Sequence, residues 1–428
     1  KVSKDTISLI EASLDATRPD LVIFNGNQIA GYDSAYALTS RKRRWDARPA
    51  SASSEASGER YAAALEHTRE LVRATIEQLV HPLADRGVPW AVTFGNHDFQ
   101  CGLDNDEIES ICREFPGCIN PERAADGTTG IAVKHDVGDM EQDFGLPEQP
   151  VIACAPGTFA LSVTDVDRTY DVLGLVLLDS GDYARSGGYG SPSEAALRFL
   201  ADAPGLMAAQ SQQLQQDRQD EQDSPREPRK TPSTLPCMVF QHFPIEQYYR
   251  LLKPVAATAA RAIEGYRNFA GRHFVLNEDK TQPGSYLGEG VSCPDADSGE
   301  FAILDKAGYF AISAGHDHRN AFVGSVPVGT DGDRQMMMVA SPTSGFGSYG
   351  PVPAKRAARL FEFDIRHPYE PRTQLLEYDE LVGKPSAGKA YAYGMTSESK
   401  PDSEGMDLLH RPTWWSKTWN KLVSLFRR

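Results

Sequence analysis

The chain has 428 residues, 40% of them apolar and 24% charged, with a net charge of −15 and a pI of about 5.2. That composition fits a globular protein and excludes a wholly disordered one, while the length permits two or three domains or one large α/β domain with insertions. The acidic balance excludes a broad nucleic-acid surface, which needs Lys and Arg in excess, but leaves room for a small phosphorylated ligand held by metal ions or a local basic patch.

Ile7, Ile10 and Leu14 recur at helical spacing, and Arg18-Pro19 ends that helix. LVIF (21–24) reads as a short buried strand that stops abruptly in Asn25, Gly26 and Asn27. Residues 31–58 read as a loop carrying RKRRW (41–45), and 59–85 as a long amphipathic helix ending at Gly87. PWAVTF (89–94) is the next strand, and this alternation predicts an α/β layered core. VIACA (151–155), TFALSV (158–163) and VLGLVLLD (172–179) are strands, followed by a helix over 194–217. The low-complexity stretch 215–234 reads as a mobile insertion. CMVFQ (237–241) is a strand, 245–270 a helical insertion, and YFAISA (309–314), AFVGSV (321–326), QMMMVA (335–340) and ARLFEFDI (358–365) are strands. There is no solenoid-type repeat.

This pattern predicts one domain over 1–382, a Gly/Ser/Lys/Pro-rich linker over 383–410 and an amphipathic helix over 411–428. In that helix Trp415, Trp419, Leu422, Val423 and Phe426 share one face, with Lys417, Lys421, Arg427 and Arg428 elsewhere. Such a face suits either docking on the protein's own core or a twin subunit, or peripheral contact with a membrane. No run approaches 18 apolar residues, so no spanning helix is expected. The first residue is Lys1, with neither an initiator Met nor a signal peptide, which reads as a trimmed or processed chain. None of the six cysteines has CxxC spacing; Cys101, Cys112 and Cys118 crowd one loop region, where a disulfide would be feasible. Their pattern does not fix a compartment.

Three further strands end in polar clusters: TFGNHDF with Asn96, His97 and Asp98, FQHFP with His242, and ISAGHDHRN with His316 and His318. In open α/β sheets the loops at the carboxyl ends of strands converge, so Asn27, Asn96, His97, His242, His316 and His318 are expected to meet in space. Imidazole nitrogens and amide oxygens suit Zn²⁺, Fe²⁺ or Mn²⁺. Two such ions about 3.5–4 Å apart can clamp a phosphate. His97 could stabilise phosphoryl charge or protonate a leaving group, with Asp98 orienting its ring. A lone strand-end histidine is more often a hydrogen-bonded structural residue; the case rests on the cluster taken together.

GNHD at 95–98, the strand-end His242 and GHDH at 315–318 resemble the calcineurin-like metallophosphoesterases, in their purple-acid-phosphatase-like branch of plants and fungi. LDSGDY (178–183), GYG (188–190), HFPIEQYY (242–249) and SGFGSYG (344–350) support it, and the likeness covers most of residues 5–365. The resemblance implies a four-layer αββα sandwich, two divalent metal ions (Mn, Fe or Zn) and hydrolysis of a phosphoester by metal-bound hydroxide. It makes Asn27, Asn96, His242 and His316 ligands of the second metal and His318 a ligand of the first. It also places His97 at the phosphate with Asp98 behind it.

Two departures stand out. The family's opening Asp-x-His strand has no match here, and Asn27 and Asn25 stand where the family has the bridging Asp and a Thr. A carboxamide offers one neutral acceptor oxygen where a carboxylate offers two anionic ones, so metal affinity should fall. Two readings follow: a metal-dependent phosphatase, or an impaired or inactive descendant that binds a phosphorylated ligand or a partner. A third, a membrane-surface adaptor, rests on the C-terminal helix alone. The RKRRW run is either a solvated charge run or a phosphate-steering patch through Arg43 and Arg44. Tyr183, Tyr189 and Tyr349 could line a pocket, Tyr183 touching substrate; the DSG at 179–181 reads as a strand end. GSYLGEGVSCPDADSG (284–299) reads as a substrate-side loop in which Cys293 is not a nucleophile.

Overall fold

The computed structural model describes residues 1–47, 55–122, 131–132, 151–166, 170–221 and 232–383. The predicted linker, the C-terminal helix and the centre of the 215–234 insertion lie outside the described residues.

Helix α1 (Lys4–Thr17) starts where the Ser3 side chain accepts from the Asp5 amide at 3.3 Å. It stops at Arg18, which adopts the left-handed conformation (φ 46°) ahead of Pro19. β1 (Val22–Asn25) runs parallel to β2 (Trp90–Thr93), with Val22 opposite Trp90. Between them α2 (Glu55–Ala84) begins earlier than residue 59 and ends close to the expected position. A short helix not anticipated, α3 (Asn105–Arg113), is opened by a capping box between Asp104 and Glu107.

β3 (Ile131–Ala132), β4 (Val151–Ala155), β5 (Thr158–Thr164), β6 (Asp171–Leu178) and β7 (Cys237–Gln241) follow, with α4 (Glu194–Glu221) between the last two. The expected helical insertion at 245–270 is corrected. That stretch holds two short 3₁₀ turns, Glu246–Leu251 and Arg267–Phe269. It also contributes β8 (Leu252–Val255) and β9 (Ile263–Glu264) to a small sheet with β10 (His273–Leu276). Its aromatic residues are drawn together from far apart in the sequence and pack as rings: Tyr249 stacks on Phe269 at 3.7 Å and meets Phe274 of β10 at 5.0 Å. α5 (Glu300–Ala307), β11 (Tyr309–Ala314), β12 (Phe322–Val328) and β13 (Arg334–Ala340) complete an eight-stranded sheet in the order β12-β13-β11-β7-β6-β5-β4-β3. Its centre, β13-β11-β7-β6, is parallel, and its flanks are antiparallel. A last hairpin pairs β14 (Ala357–Glu362) with β15 (Arg372–Glu377).

The side-chain period of two sorts this sheet into two cores. Val176, Leu178, Val239 and Ile312 face Phe199, Leu200, Ala203 and Met207 of α4 and Leu304 of α5. Leu173, Leu175, Leu177, Met238 and Phe240 face the other way, toward Ala91 of β2, Ile23 of β1 and Phe361 of β14. Behind β2, Trp90 and Val92 pack on Val72, Ile76 and Leu83 of α2 and Ile108 and Ile111 of α3. The layers therefore run helices, sheet, sheet, helices: the predicted α/β sandwich.

The second sheet is divided. Among the described residues β1 pairs with β2 and β14 with β15, and all residues of β1 and β14 line one cavity of about 1640 Å³. Leu161, Val163, Leu175 and Phe240 of the large sheet and Leu9, Ile10 and Leu14 of α1 also line it. Every residue of β1 is only half-buried, whereas all four of β2 are buried. All six cysteines are free thiols, so the disulfide that the crowding of Cys101, Cys112 and Cys118 makes feasible is not formed here. Burial pushes the Cys101 and Cys118 thiols up to about 12. No described helix is long and apolar enough to cross a membrane.

Candidate metal and phosphate site

The carboxyl ends of β1, β2, β7 and β11 meet, as parallel strands in a layered α/β fold require. The His316 amide donates to the His242 carbonyl at 2.9 Å, and the two rings lie 5.1 Å apart, nearly perpendicular. His242 also touches the end of β1, its Nδ1 lying 2.9 Å from the Asn25 carbonyl oxygen.

The β1 loop turns through Gly26 (φ 93°) and Asn27 (φ 60°). A Cβ on Gly26 would lie 2.5 Å from His242 Nδ1, so only glycine fits there. Asn27 is among the few non-glycine types at home in the left-handed region. Its Oδ1 accepts from the His97 amide at 2.9 Å. Its Nδ2 donates to Asn96 Oδ1 at 3.2 Å and lies 2.8 Å from His242 Nε2. Because the Asn25 carbonyl takes the Nδ1–H of His242, Nε2 is the bare nitrogen, and the Asn27 amide donates to it. Asn27 is thus the hydrogen-bond hub of the site.

Asp98 does something other than orient His97. Its carboxylate accepts three backbone amides, Asn27 and Gly95 at 2.8 Å and Ile29 at 2.9 Å, and so ties the β1 loop to the β2 loop. Burial raises its pKa to about 6 against the pull of those three donors. The ring of His97 is held by Gln100 instead, Nδ1 to Oε1 at 2.7 Å. Burial lowers the His97 pKa and favours the neutral ring; with Nδ1–H committed to Gln100, Nε2 is left as a hydrogen-bond acceptor, 3.4 Å from Asn96 Nδ2.

The other histidines follow the same plan. His316 Nδ1 lies 3.3 Å from Asp317 Oδ1, and His318 Nδ1 is 2.7 Å from the Tyr349 carbonyl oxygen. Burial depresses all three, His316 to about 3, His318 to about 4 and His242 well below the usual imidazole range. Neutral imidazoles with Nδ1 anchored and Nε2 presented are the form in which histidine ligates metals.

Of the residues expected to bind substrate, Tyr183 and Arg43 lie together beside Asn96. Asn96 Nδ2 donates to the Tyr183 hydroxyl at 2.7 Å, and the Arg43 guanidinium lies 3.9 Å above the Tyr183 ring. Arg44 is reassigned: it forks onto Asp179 at 2.8 and 3.0 Å, and its amide donates to Asp182, so it fastens the 41–46 loop to the end of β6. Arg41 likewise pairs with Asp104. Two of the four cations of the RKRRW run, Arg41 and Arg44, are thus spent on internal ion pairs, while Arg43 lies against Tyr183. Tyr32, whose ring meets His97 edge-on at 4.7 Å, and Gln100 were not anticipated. The available sign was an aromatic residue in the loops after β1, β6 and β13.

Among the described residues no three His, Cys, Asp or Glu side chains converge as a ready metal cage. The donors present are imidazoles and amides. Their chemistry fits one divalent ion of the Zn, Fe or Mn type, which Asn96, His316 and His318 would hold, and His242 as well were its Nε2 released by the Asn27 amide. They do not fit a bridged pair of ions, because Asn27 offers a neutral amide where a bridge needs a carboxylate.

No family model matches the chain. It is 23% identical over 365 residues to a protein of Arabidopsis thaliana named "Probable inactive purple acid phosphatase 28", covering 84% of this chain and 66% of that one. The chain thus spans just under two thirds of that relative's length. Among solved structures, a dimetal phosphatase from Danio rerio aligns over 87% of this chain and 88% of its own, at 10% identity and a TM-score of 0.38. The chain is related, at low sequence identity, to the calcineurin-like metallophosphoesterases, on the side of the purple acid phosphatases.

Proposed function

We propose that this site binds a phosphate ester with the help of a divalent metal ion and hydrolyses it. The observation that carries the reading is the set of three neutral imidazoles, His242, His316 and His318, each with Nδ1 anchored on an oxygen. A bound ion would supply Lewis-acid polarisation of the phosphoryl group. The chain's own residues do the rest. Asn96 and the Asp98-clamped loops fix the floor of the site. Arg43, stacked on Tyr183, sets a cation at its mouth, and His97 Nε2 is placed to take a proton from an attacking water. The proposal needs one ion only, since the amide of Asn27 does not suit a second beside it.

A second reading is favoured by one contact, the Asn27 amide at 2.8 Å from His242 Nε2. It fills the nitrogen that a metal would use, and leaves a pocket that binds a phosphorylated ligand or partner without turning it over.

Elemental analysis and p-nitrophenyl phosphate hydrolysis with Mn²⁺, on the wild-type chain and Asn27→Asp, separate the two. Mn²⁺-dependent release of nitrophenol that His316→Ala abolishes supports the enzyme. Background rates in both proteins leave the binding reading, and absence of any bound metal in both removes the metal-assisted one.

A further inference from the structure

Each of four site side chains has a tyrosine against it. Tyr32 meets His97 at 4.7 Å and 74°, and Tyr349 stacks on His318 at 4.3 Å and 18°. Tyr189 packs on His316 at 4.5 Å, and Tyr183 accepts the Asn96 hydrogen bond. The four differ in what else holds them. Tyr189 is sandwiched between Tyr183 and Tyr266, 5.7 and 5.5 Å away, inside a stack that continues to Phe243. Tyr32 and Tyr349 are instead 57% and 41% exposed, although large aromatic side chains are mostly covered in a folded chain. These two open rings stand beside the imidazoles of His97 and His318.

We propose that Tyr32 and Tyr349 form an aromatic collar that makes this site select phosphate esters of planar aromatic alcohols, that is aryl phosphates such as a phosphotyrosine side chain, over esters of alkyl alcohols. The proposal rests on the reading that a phosphate ester binds among the histidines. In an aryl phosphate the ring is joined to phosphorus through one oxygen, so a phosphate seated at His97 and His318 carries its ring directly to the rings packed on those residues. In a nucleotide a sugar intervenes and carries the base beyond that contact. Tyrosine suits the task because its face is apolar and its two side-chain torsions lose little freedom on contact, and the Tyr349 hydroxyl is held besides by Glu289. Arg43 over Tyr183 adds positive charge for the phosphate on a chain whose net charge is −15.

Calorimetric titration of the full chain in Mn²⁺ with phenylphosphonate and with methylphosphonate tests this without requiring turnover. The phenyl compound is expected to bind about tenfold tighter, the scale of one or two aromatic contacts. In Tyr32→Leu/Tyr349→Leu that preference should shrink to within about twofold, and in Tyr32→Phe/Tyr349→Phe it should persist. Equal binding of the two compounds to the wild-type chain overturns the collar and leaves the phosphate site standing. A preference that survives the double leucine variant overturns it as well. If neither compound binds, the phosphate site itself fails and the collar with it. The wild-type comparison decides even where the leucine variant does not fold.

Discussion

Nδ2 of Asn27 lies 2.8 Å from Nε2 of His242, the nitrogen left bare when the Asn25 carbonyl takes the other one. An amide can satisfy that lone pair; a carboxylate cannot, and would add negative charge beside it. Asn27→Asp should therefore release His242 and raise affinity for Zn²⁺ or Mn²⁺ by at least about tenfold, the scale on which groups beside a ligand tune metal sites. Calorimetric metal titration of both proteins measures it, and an unchanged affinity would show that the amide does not block the site.

Arg43 and Arg44 are neighbours with separate tasks. Arg44 forks onto Asp179, whose carboxylate also receives Asn105 Nδ2 at 2.9 Å, and the Asp179 side chain is only 13% exposed. Removing the cation strands a partly buried carboxylate, so Arg44→Ala should cost about 1–3 kcal/mol of stability. Among the described residues the Arg43 guanidinium meets the Tyr183 ring and the Lys42 carbonyl, so Arg43→Ala should leave the melting temperature within about a degree while weakening phosphonate binding. Thermal melts and titrations on the two variants check both halves; an unchanged melt in Arg44→Ala would contradict the structural role.

Glu300 gives a pH dependence away from the histidines. It is buried at the start of α5, and its Oε1 and the Oε1 of Gln241 both lack hydrogen-bond partners. Burial raises its pKa to about 7. The sign follows from that direction. The neutral acid is the form the fold tolerates, so its contribution is complete below the ordinary carboxyl value near 4.5 and is lost as pH rises through about 7. Glu300→Gln should be close to neutral at pH 4.5. At pH 8 it should stabilise by on the order of 3 kcal/mol, and its new N–H can reach the orphaned Gln241 oxygen. Melting curves at the two pH values check it; equal shifts at both would mean Glu300 does not titrate with folding.

Much of this was legible in the sequence where one physical cause dominated. β7 and β11 are buried throughout, and their apolar runs announce it. The polar residues after them could be read as one site because parallel strands bring their carboxyl ends together. α3 escaped notice because its buried face includes Asn105 and Glu109, which look like surface residues until Asp179, Asn120 and the Gly157 amide are known to meet them. Asp98 and Arg44 were misread for the same reason. Their partners lie across sequence separations of up to 71 and 138 residues, and local spacing carries no trace of them. The 245–270 stretch failed in a related way: Tyr249 stacks on Phe269 from the far end of the same stretch, a contact between turns that no local period announces.

The divided second sheet makes a last prediction. β6 and β7 are bonded on both sides, whereas β1 bonds β2 and β14 bonds β15, and both border the large cavity. Half of the amides of β1 and β14 thus point to a neighbouring strand and the others toward the cavity, in the alternation that any strand imposes. Amide protection reflects the free energy of opening, and an edge bonded on one side beside an open volume opens more readily than a strand held on both. Hydrogen exchange should therefore run at least about tenfold faster in peptides covering 22–25 and 357–362 than in those covering 171–178 and 237–241. A chain in which all four exchange alike would mean that the cavity is closed in solution and that the two halves of the second sheet are joined.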